Sequence, residues 1–376
     1  MAEPAKILIV DDSRVFRSIL ERTLSSIPEV QVVGTADSGI AALDFLRTRS
    51  VDLVTLDVEM PGLDGLETLR KMFAIKAELK SVPDVLMVSS LTRTGSDTTM
   101  KALELGAFDF VAKPAVDVPN SQESLKRMLS NAITAWVFRK KRGTVRPALS
   151  GGAAGTGAAR SVPTTQSSSF SYNLAKPSIH TKPVLAIVLG VSTGGPKSLA
   201  EMLPKLCSMT TLPILLVQHM PPNFTKSLAD SLDAKCDHKV IEGTPGTVVQ
   251  DKTVYIAPGG CHMVVNSKGA SYVLDNNQNP PENGCRPSVD VLFRSAAQAY
   301  PQDSLIGVIL TGMGNDGTPS LPSLKNKNAY LIAQDEESSV VFGMPRAAAA
   351  SGLIDKVATL MRVPEAIVER ITFGKK

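Results

Sequence analysis

Two groups of residues have the types and spacing to do chemistry. The first centres on Ser192, in Gly190-Val-Ser-Thr-Gly-Gly-Pro196, which directly follows a short apolar run from Val184. A branched apolar run that breaks into a glycine turn, with a helix expected from Lys197, matches G-x-S-x-G. Such an elbow lifts a serine hydroxyl clear of the sheet. Strand, glycine turn and helix also describe a phosphate-cradling loop, but Ser192 occupies the place of that motif's second glycine. By itself the turn is consistent with a nucleophile, an anion-binding loop or a plain packing turn.

A serine hydroxyl needs a base, and the imidazole needs a carboxylate to fix its tautomer. The histidines are His180, His219, His238 and His262. His219 stands at the carboxyl end of the apolar run Pro213–Gln218, and Asp316 lies in Thr311-Gly-Met-Gly-Asn-Asp-Gly317, after the apolar run Leu305–Leu310. Ser192, His219 and Asp316 are therefore the candidate nucleophile, base and orienting acid. His262 is the runner-up base and Asp290, in Arg286-Pro-Ser-Val-Asp290, the alternative acid. A core histidine bonded to backbone and a glycine-turn aspartate bonded to its own backbone are the competing readings. Backbone N–H groups around Thr193 and Gly194 would face an oxyanion, with Met313 a further candidate that spacing does not support. The order Ser…His…Asp differs from the Ser…Asp…His of ordinary α/β-hydrolases.

The second group is Asp11, Asp12, Asp57, Ser89 and Lys113, each at the carboxyl end of a short apolar run. Such ends converge on one crevice in a parallel sheet. Three carboxylates drawn together repel one another unless a cation joins them. All-oxygen donors make that cation a hard one, Mg2+, retaining several waters.

The elements that must position these residues can be read from periodicity. Residues 5 to about 140 give five rounds of strand then helix, which implies a parallel sheet covered on both faces. A helix end turns basic at Arg139-Lys-Lys-Arg142, a run that reads as solvated. Residues 143–183 are rich in Gly, Ala, Ser, Thr and Pro, and are expected to be a flexible tether. The remainder alternates strands and helices again, with a hairpin-like stretch from Val248 to Val265 and a helix over Ser288–Gln298. The expected division is 1–125, a linker over 126–183, and 184–376.

At 376 residues, with 43% hydrophobic and 20% charged residues, the chain fits a soluble protein of two or three domains. A net charge of +4 gives no case for nucleic acid or a membrane surface. Four scattered cysteines indicate neither a disulfide framework nor a zinc site, and no run is long enough to span a bilayer; a cytoplasmic location is expected.

These motifs are familiar. Asp11-Asp12, Asp57, Ser89 and Lys113-Pro114 resemble the receiver domain of two-component response regulators, with Phe110 at its aromatic switch position. Gly190-Val-Ser-Thr-Gly-Gly-Pro, Gln218-His-Met-Pro, Ile256-Ala-Pro-Gly, Arg286-Pro-Ser-Val-Asp, Thr311-Gly-Met-Gly-Asn-Asp-Gly and Val341-Phe-Gly-Met-Pro resemble the catalytic domain of the chemotaxis protein-glutamate methylesterases, the CheB family. The resemblance implies an α/β protein: a flavodoxin-like five-stranded receiver followed by a doubly wound, mostly parallel catalytic domain. It implies phosphorylation of Asp57 by a histidine kinase, with Mg2+ held by Asp11, Asp12 and Asp57, and Ser89 and Lys113 on the phosphoryl group. It further implies that Ser192, His219 and Asp316 hydrolyse glutamate methyl esters on chemoreceptor helices and deamidate certain glutamines. No cofactor in the catalytic domain, no nucleic acid and no membrane insertion are expected. The alternatives are the same hydrolase in another signalling array, or a non-catalytic adaptor. Two prolines in Thr318–Asn328 depart from the family pattern, and Pro322 is expected to shorten the helix there.

Overall fold

In the computed structural model, residues 3–113, 121–143, 172–176 and 178–373 are described. The first half is five strands, β1 Ala5–Val10, β2 Val30–Ala36, β3 Leu53–Asp57, β4 Asp84–Ser89 and β5 Asp109–Ala112. They alternate with helices α1 Arg14–Leu24, α2 Gly39–Thr48, α3 Gly65–Ala74, α4 Arg93–Leu105 and α5 Ser121–Gly143. The sheet order is β2-β1-β3-β4-β5, with every pairing parallel. Side chains such as Ser13, Ser38 and Asp64 accept the N–H groups that open α1, α2 and α3, which fixes where each strand hands over to its helix.

α5 runs well past residue 125. Leu125, Leu129, Ile133 and Trp136 are fully buried in the first domain's core, and the Trp136 indole N–H donates to Asp84 at 2.8 Å. The basic end expected to be solvated is partly folded back: Arg139 pairs with Asp84 at 2.6 Å and covers the Phe108 ring, while Lys140 pairs with Asp52. Pro114 and the tether over 144–171 lie outside the described residues. The tether's last residues pack on the second domain: the Ala175 N–H donates to the Ile354 carbonyl, and His180 contacts Asp303 at 2.6 Å.

The second domain contributes β6 Ala186–Val191, β7 Ile214–Gln218, β8 Lys239–Glu242, β9 Thr253–Ile256, β10 His262–Lys268, β11 Ser271–Asn277, β12 Leu305–Ile309, β13 Tyr330–Gln334 and β14 Lys356–Ala358. Its helices are α6 Gly195–Met209, α7 Phe224–Asp233, α8 Val289–Ala299, α9 Leu321–Lys325, α10 Met344–Ala350 and α11 Val363–Phe373. Seven strands form one parallel sheet in the order β14-β13-β12-β6-β7-β9-β8. β6 lies at its centre with all six residues buried, as expected of an uninterrupted apolar strand covered on both faces.

The hairpin lies elsewhere than the sequence suggests. β9 is a parallel member of the main sheet, and the antiparallel pair is β10 with β11, which turns tightly at Gly269. Pro258-Gly259-Gly260 reads as a hairpin turn, yet it ends a buried parallel strand. α9 is only five residues long, with Pro322 in its first turn, as expected.

The two domains meet along α4 and α7. Ser96 and Ser227 hydroxyls lie 2.8 Å apart, Arg93 pairs with Asp230 at 2.9 Å, and Glu104 takes both Ser231 and Lys235. The Phe110 ring stacks on Phe224, with centroids 4.5 Å apart.

Candidate active site

Register brings Ser192 and His219 together. Val191 pairs with Gln218 across β6 and β7, so the residues that follow leave adjacent strand ends side by side. The His219 N–H donates to Val191 O at 3.2 Å, and Gln218 Nε2 donates to the carbonyl of Ser192 at 3.0 Å. From the other side, the Ser192 N–H donates to Thr311 O at 2.9 Å, which ties the elbow to the loop after β12. Gly194 has φ +75, the left-handed conformation that lets the chain turn into α6. A Cβ on Gly312 would stand 2.8 Å from that of Ser192, so only glycine lets the two loops approach this closely.

That loop returns Asp316 to the crevice, where it is 2% exposed. His219 Nε2 donates to Asp316 Oδ2 at 2.7 Å. The same carboxylate accepts the Val289 N–H at 2.7 Å, the Ser288 hydroxyl at 2.8 Å, Asn283 Nδ2 at 3.0 Å, and the N–H groups of Asp290 and Gly317. Ser288 does stand at the N-cap of α8, but its hydroxyl goes to Asp316, and Asp316 itself satisfies the first N–H groups of the helix. Burial alone would raise the Asp316 pKa. The bond and charge of His219, together with the Val289 and Ser288 donors, outweigh burial and hold it well below the usual carboxylate range. For His219, burial disfavours the charged ring, but Asp316 and the nearby Cys285 sulfur push it up to about 10.

The other ring nitrogen faces the crevice. His219 Nδ1 stands 3.5 Å from Cys285 Sγ, and among the described residues Ser192 Oγ has no hydrogen-bond partner. Catalytic contacts of this kind often tighten only when substrate is bound. At the start of α6 the cap residue, Gly194, offers no side chain to the first N–H groups, and the Gly194 N–H lies against the Asp109 carboxyl of the first domain. Met313 is half-buried on the neighbouring loop, packed against a cluster of first-domain residues joined by Val341. The first domain also reaches the elbow through Asp109. Burial pushes its pKa up to about 7, with the Phe110 and Gly194 N–H groups pulling the other way.

Of the remaining histidines, His180 is held by Asp303. His262 accepts the Ser288 N–H at Nδ1 and contacts Pro280 O through Nε2, so it is a buried brace for the α8 N-terminus. Asp290, the alternative acid, lies in the first turn of α8 and accepts Asn283 Nδ2 and the Ser320 N–H. Sequence reasoning missed Asn283 and Cys285. Both lie on the loop before α8, where no periodicity indicates what the chain will face.

The acidic crevice of the first domain assembles as expected from its strand ends. Oxygens of Asp11, Asp12 and Asp57 lie within 4.8 Å of one another, and Lys113 Nζ bridges Asp57 at 2.7 Å and Asp11 at 2.8 Å. Burial, reinforced by Asp11 and partly offset by Lys113, pushes Asp57 up to about 6. Ser89 is fully buried at the end of β4, and Phe110 is half-buried against the second domain.

The CheB methylesterase family matches residues 187–367, and the response regulator receiver domain family matches residues 7–125. A protein-glutamate methylesterase/protein-glutamine glutaminase of Desulfotalea psychrophila is 41% identical over 368 residues, 97% of this chain and 98% of that relative. Its counterpart in Nitrosomonas europaea is 40% identical over 374 residues, 98% of this chain and 97% of the relative. Among solved structures, the Thermotoga maritima CheB methylesterase catalytic domain is 40% identical. It covers 50% of this chain and 98% of its own, with a TM-score of 0.48. No helix among the described residues is long and apolar enough to cross a membrane.

Proposed function

The chain belongs to the CheB family of receiver-linked protein-glutamate methylesterases, and from that premise we propose that Ser192, His219 and Asp316 carry its ester hydrolysis. The protein is a carboxylic ester hydrolase, a phosphorylation-regulated chemotaxis methylesterase and glutaminase. The observation that carries the residue assignment is the 2.7 Å His219–Asp316 bond, beside a serine on the adjacent strand end.

In this reading the base is the neutral form of His219, which grows as pH rises toward about 10: Asp316 holds the proton on Nε2, which leaves the lone pair of Nδ1 facing the crevice. His219 takes the Ser192 proton as Oγ attacks the ester carbonyl. The developing oxyanion is met by the Thr193 N–H and, once Asp109 withdraws from it, by the Gly194 N–H, with the Met313 loop alongside. Collapse expels methanol, protonated by His219, and leaves an acyl-serine. Water, deprotonated by His219, then releases the glutamate carboxylate. An amide substrate follows the same path with ammonia leaving.

The first domain fits the regulatory part. Asp57 is the phosphoryl acceptor, Ser89 and Lys113 would bind the phosphoryl oxygens, and Phe110 is the aromatic switch. The three clustered carboxylates are hard oxygen donors of the kind Mg2+ takes, so Asp11, Asp12 and Asp57 would hold it. When bound, the ion neutralises and orients phosphoryl oxygens. Asp109 beside Gly194 gives the unphosphorylated first domain a hold on the elbow, and the Phe110–Phe224 stack a hold on the neighbouring α7. The expected partners are a histidine kinase as phosphodonor and the methylated helices of a chemoreceptor. The proposed units are the receiver with α5, the tether, and the catalytic domain from residue 184.

A fluorophosphonate probe tests the nucleophile. It should label the wild-type chain at Ser192, as read by peptide mass, and should fail on Ser192→Ala. Labelling that survives in Ser192→Ala would remove Ser192 from this role.

A further inference from the structure

We propose that His219 and Cys285 form an inhibitory zinc site inside the active crevice, a reading that rests on His219 being the catalytic base. Tetrahedral zinc takes histidine nitrogen at about 2.0–2.1 Å and thiolate sulfur at about 2.3 Å, which places the two donor atoms about 3.5–3.6 Å apart. His219 Nδ1 and Cys285 Sγ are 3.5 Å apart. The other ring nitrogen is bonded to the Asp316 carboxylate, the outer-shell arrangement that fixes tautomer and ring plane in zinc–histidine sites. An oxygen of Asp316 also lies within 4.8 Å of the sulfur and the ring.

The sulfur is held in place. Glu282 and Cys285 exchange both backbone hydrogen bonds, at 3.1 and 2.8 Å, and Arg294 clamps Glu282 through both carboxylate oxygens at 2.6 Å. Arg286 donates to the carbonyls of Gln278 and Asn279, and Asn283 ties the same loop to Asp316. Cys285 is only half-buried, so an ion can reach it from solvent. Nitrogen and sulfur donors select a borderline-soft ion over Mg2+. Binding replaces the thiol proton, which leaves to solvent, and occupies the Nδ1 lone pair that would otherwise accept the Ser192 proton. Waters complete the coordination.

The test uses the full-length chain with Mg2+ in excess, so that the acidic crevice is saturated. Co2+ is added as a spectroscopic stand-in, and ester hydrolysis is followed separately at buffered free Zn2+. The wild type should show a thiolate-to-cobalt charge-transfer band that Zn2+ displaces, and Cys285→Ser and Cys285→Ala should both lack it. Half-inhibition of the wild type should fall at free Zn2+ at least about 10-fold lower than for either variant, since losing even an outer-shell partner of a zinc ligand costs about 10–100-fold in affinity. A band that persists in both variants would assign the metal to Cys207, Cys236 or Cys261, and equal zinc sensitivity would remove Cys285 from inhibition; either overturns the proposal. Absence of any ester hydrolysis would instead defeat the hydrolase reading, while the cobalt band would still decide whether the site exists.

Discussion

Replacing Asp316 with asparagine keeps the shape of the site and removes its charge. The carboxylate accepts six donors: His219, Val289, Ser288, Asn283, Asp290 and Gly317. Oδ1 of an asparagine could keep the four that reach the present Oδ1. Its amide nitrogen would then face the His219 and Val289 donors, which both lose their acceptor. A charge-assisted bond is worth about 1.5–3 kcal/mol and a stranded buried donor costs about 1–3 kcal/mol, so Asp316→Asn should destabilise the catalytic domain by about 2–4 kcal/mol. The larger effect is on catalysis. The ring would turn its lone pair toward the amide N–H and its proton toward Ser192, the wrong tautomer for a base. In the serine protease triad that change costs about 10⁴-fold, and a loss of that order is expected here.

The linkage has a definite sign. His219 is raised from 6.5 to about 10, so its contribution is fully present below pH 6.5 and fades as pH rises through about 10. Asp316 is lowered from 3.8, so its contribution is present above pH 3.8 and lost as pH falls through its folded value. The stability gap between wild type and Asp316→Asn, read by denaturant unfolding across pH, should be widest between those two ordinary values, 3.8 and 6.5. A variant within about threefold of wild-type kcat, with a gap independent of pH, would refute the reasoning.

Three further outcomes are expected. Gly312→Ala puts a methyl 2.8 Å from Ser192 Cβ and 2.4 Å from Met344 Sδ; displacing the serine by up to about 1 Å should lower kcat/KM by about 10²-fold, and an unchanged rate would show that the loops can part freely. Glu104→Lys sets two like charges against each other at the domain contact, so unphosphorylated activity should rise, and adding Lys235→Glu should restore restraint; a double variant as active as the single one would separate this pair from regulation. With no ion bound, burial and Asp11 raise Asp57 to about 6. Mg2+ joining the three carboxylates should pull it back down, and an NMR titration of its carboxyl that is the same with and without Mg2+ would contradict the assignment of Asp57 as a metal ligand.

The strand ends were legible because buried parallel strands are continuous apolar runs, and the first polar residue after each marks the crevice. Asp57, Ser89, Ser192 and His219 each occupy that position in the sequence. The same logic misplaced the hairpin: Val254–Ala257 followed by Pro258-Gly259-Gly260 looks like a hairpin arm, and only its pairing with β7 and β8 shows otherwise. Trp136 falls in the stretch the sequence assigns to the linker, in a helix end that turns basic, although its side chain is fully buried where α5 packs on the first domain's core. Asn283 and Cys285 could not be found from spacing. They are 33 and 66 residues from the side chains they face, on a loop whose path is set by tertiary contacts.

The central claim joins a serine hydrolase to a phosphorylation switch in one chain. It is tested most directly by methanol release from methylated chemoreceptor membranes, with and without a small phosphodonor and Mg2+, for wild type, Ser192→Ala and Asp57→Asn. The account predicts release that vanishes without Ser192 and that rises with phosphodonor in wild type but not in Asp57→Asn. Release that persists in Ser192→Ala, or a phosphodonor response that survives in Asp57→Asn, would contradict it.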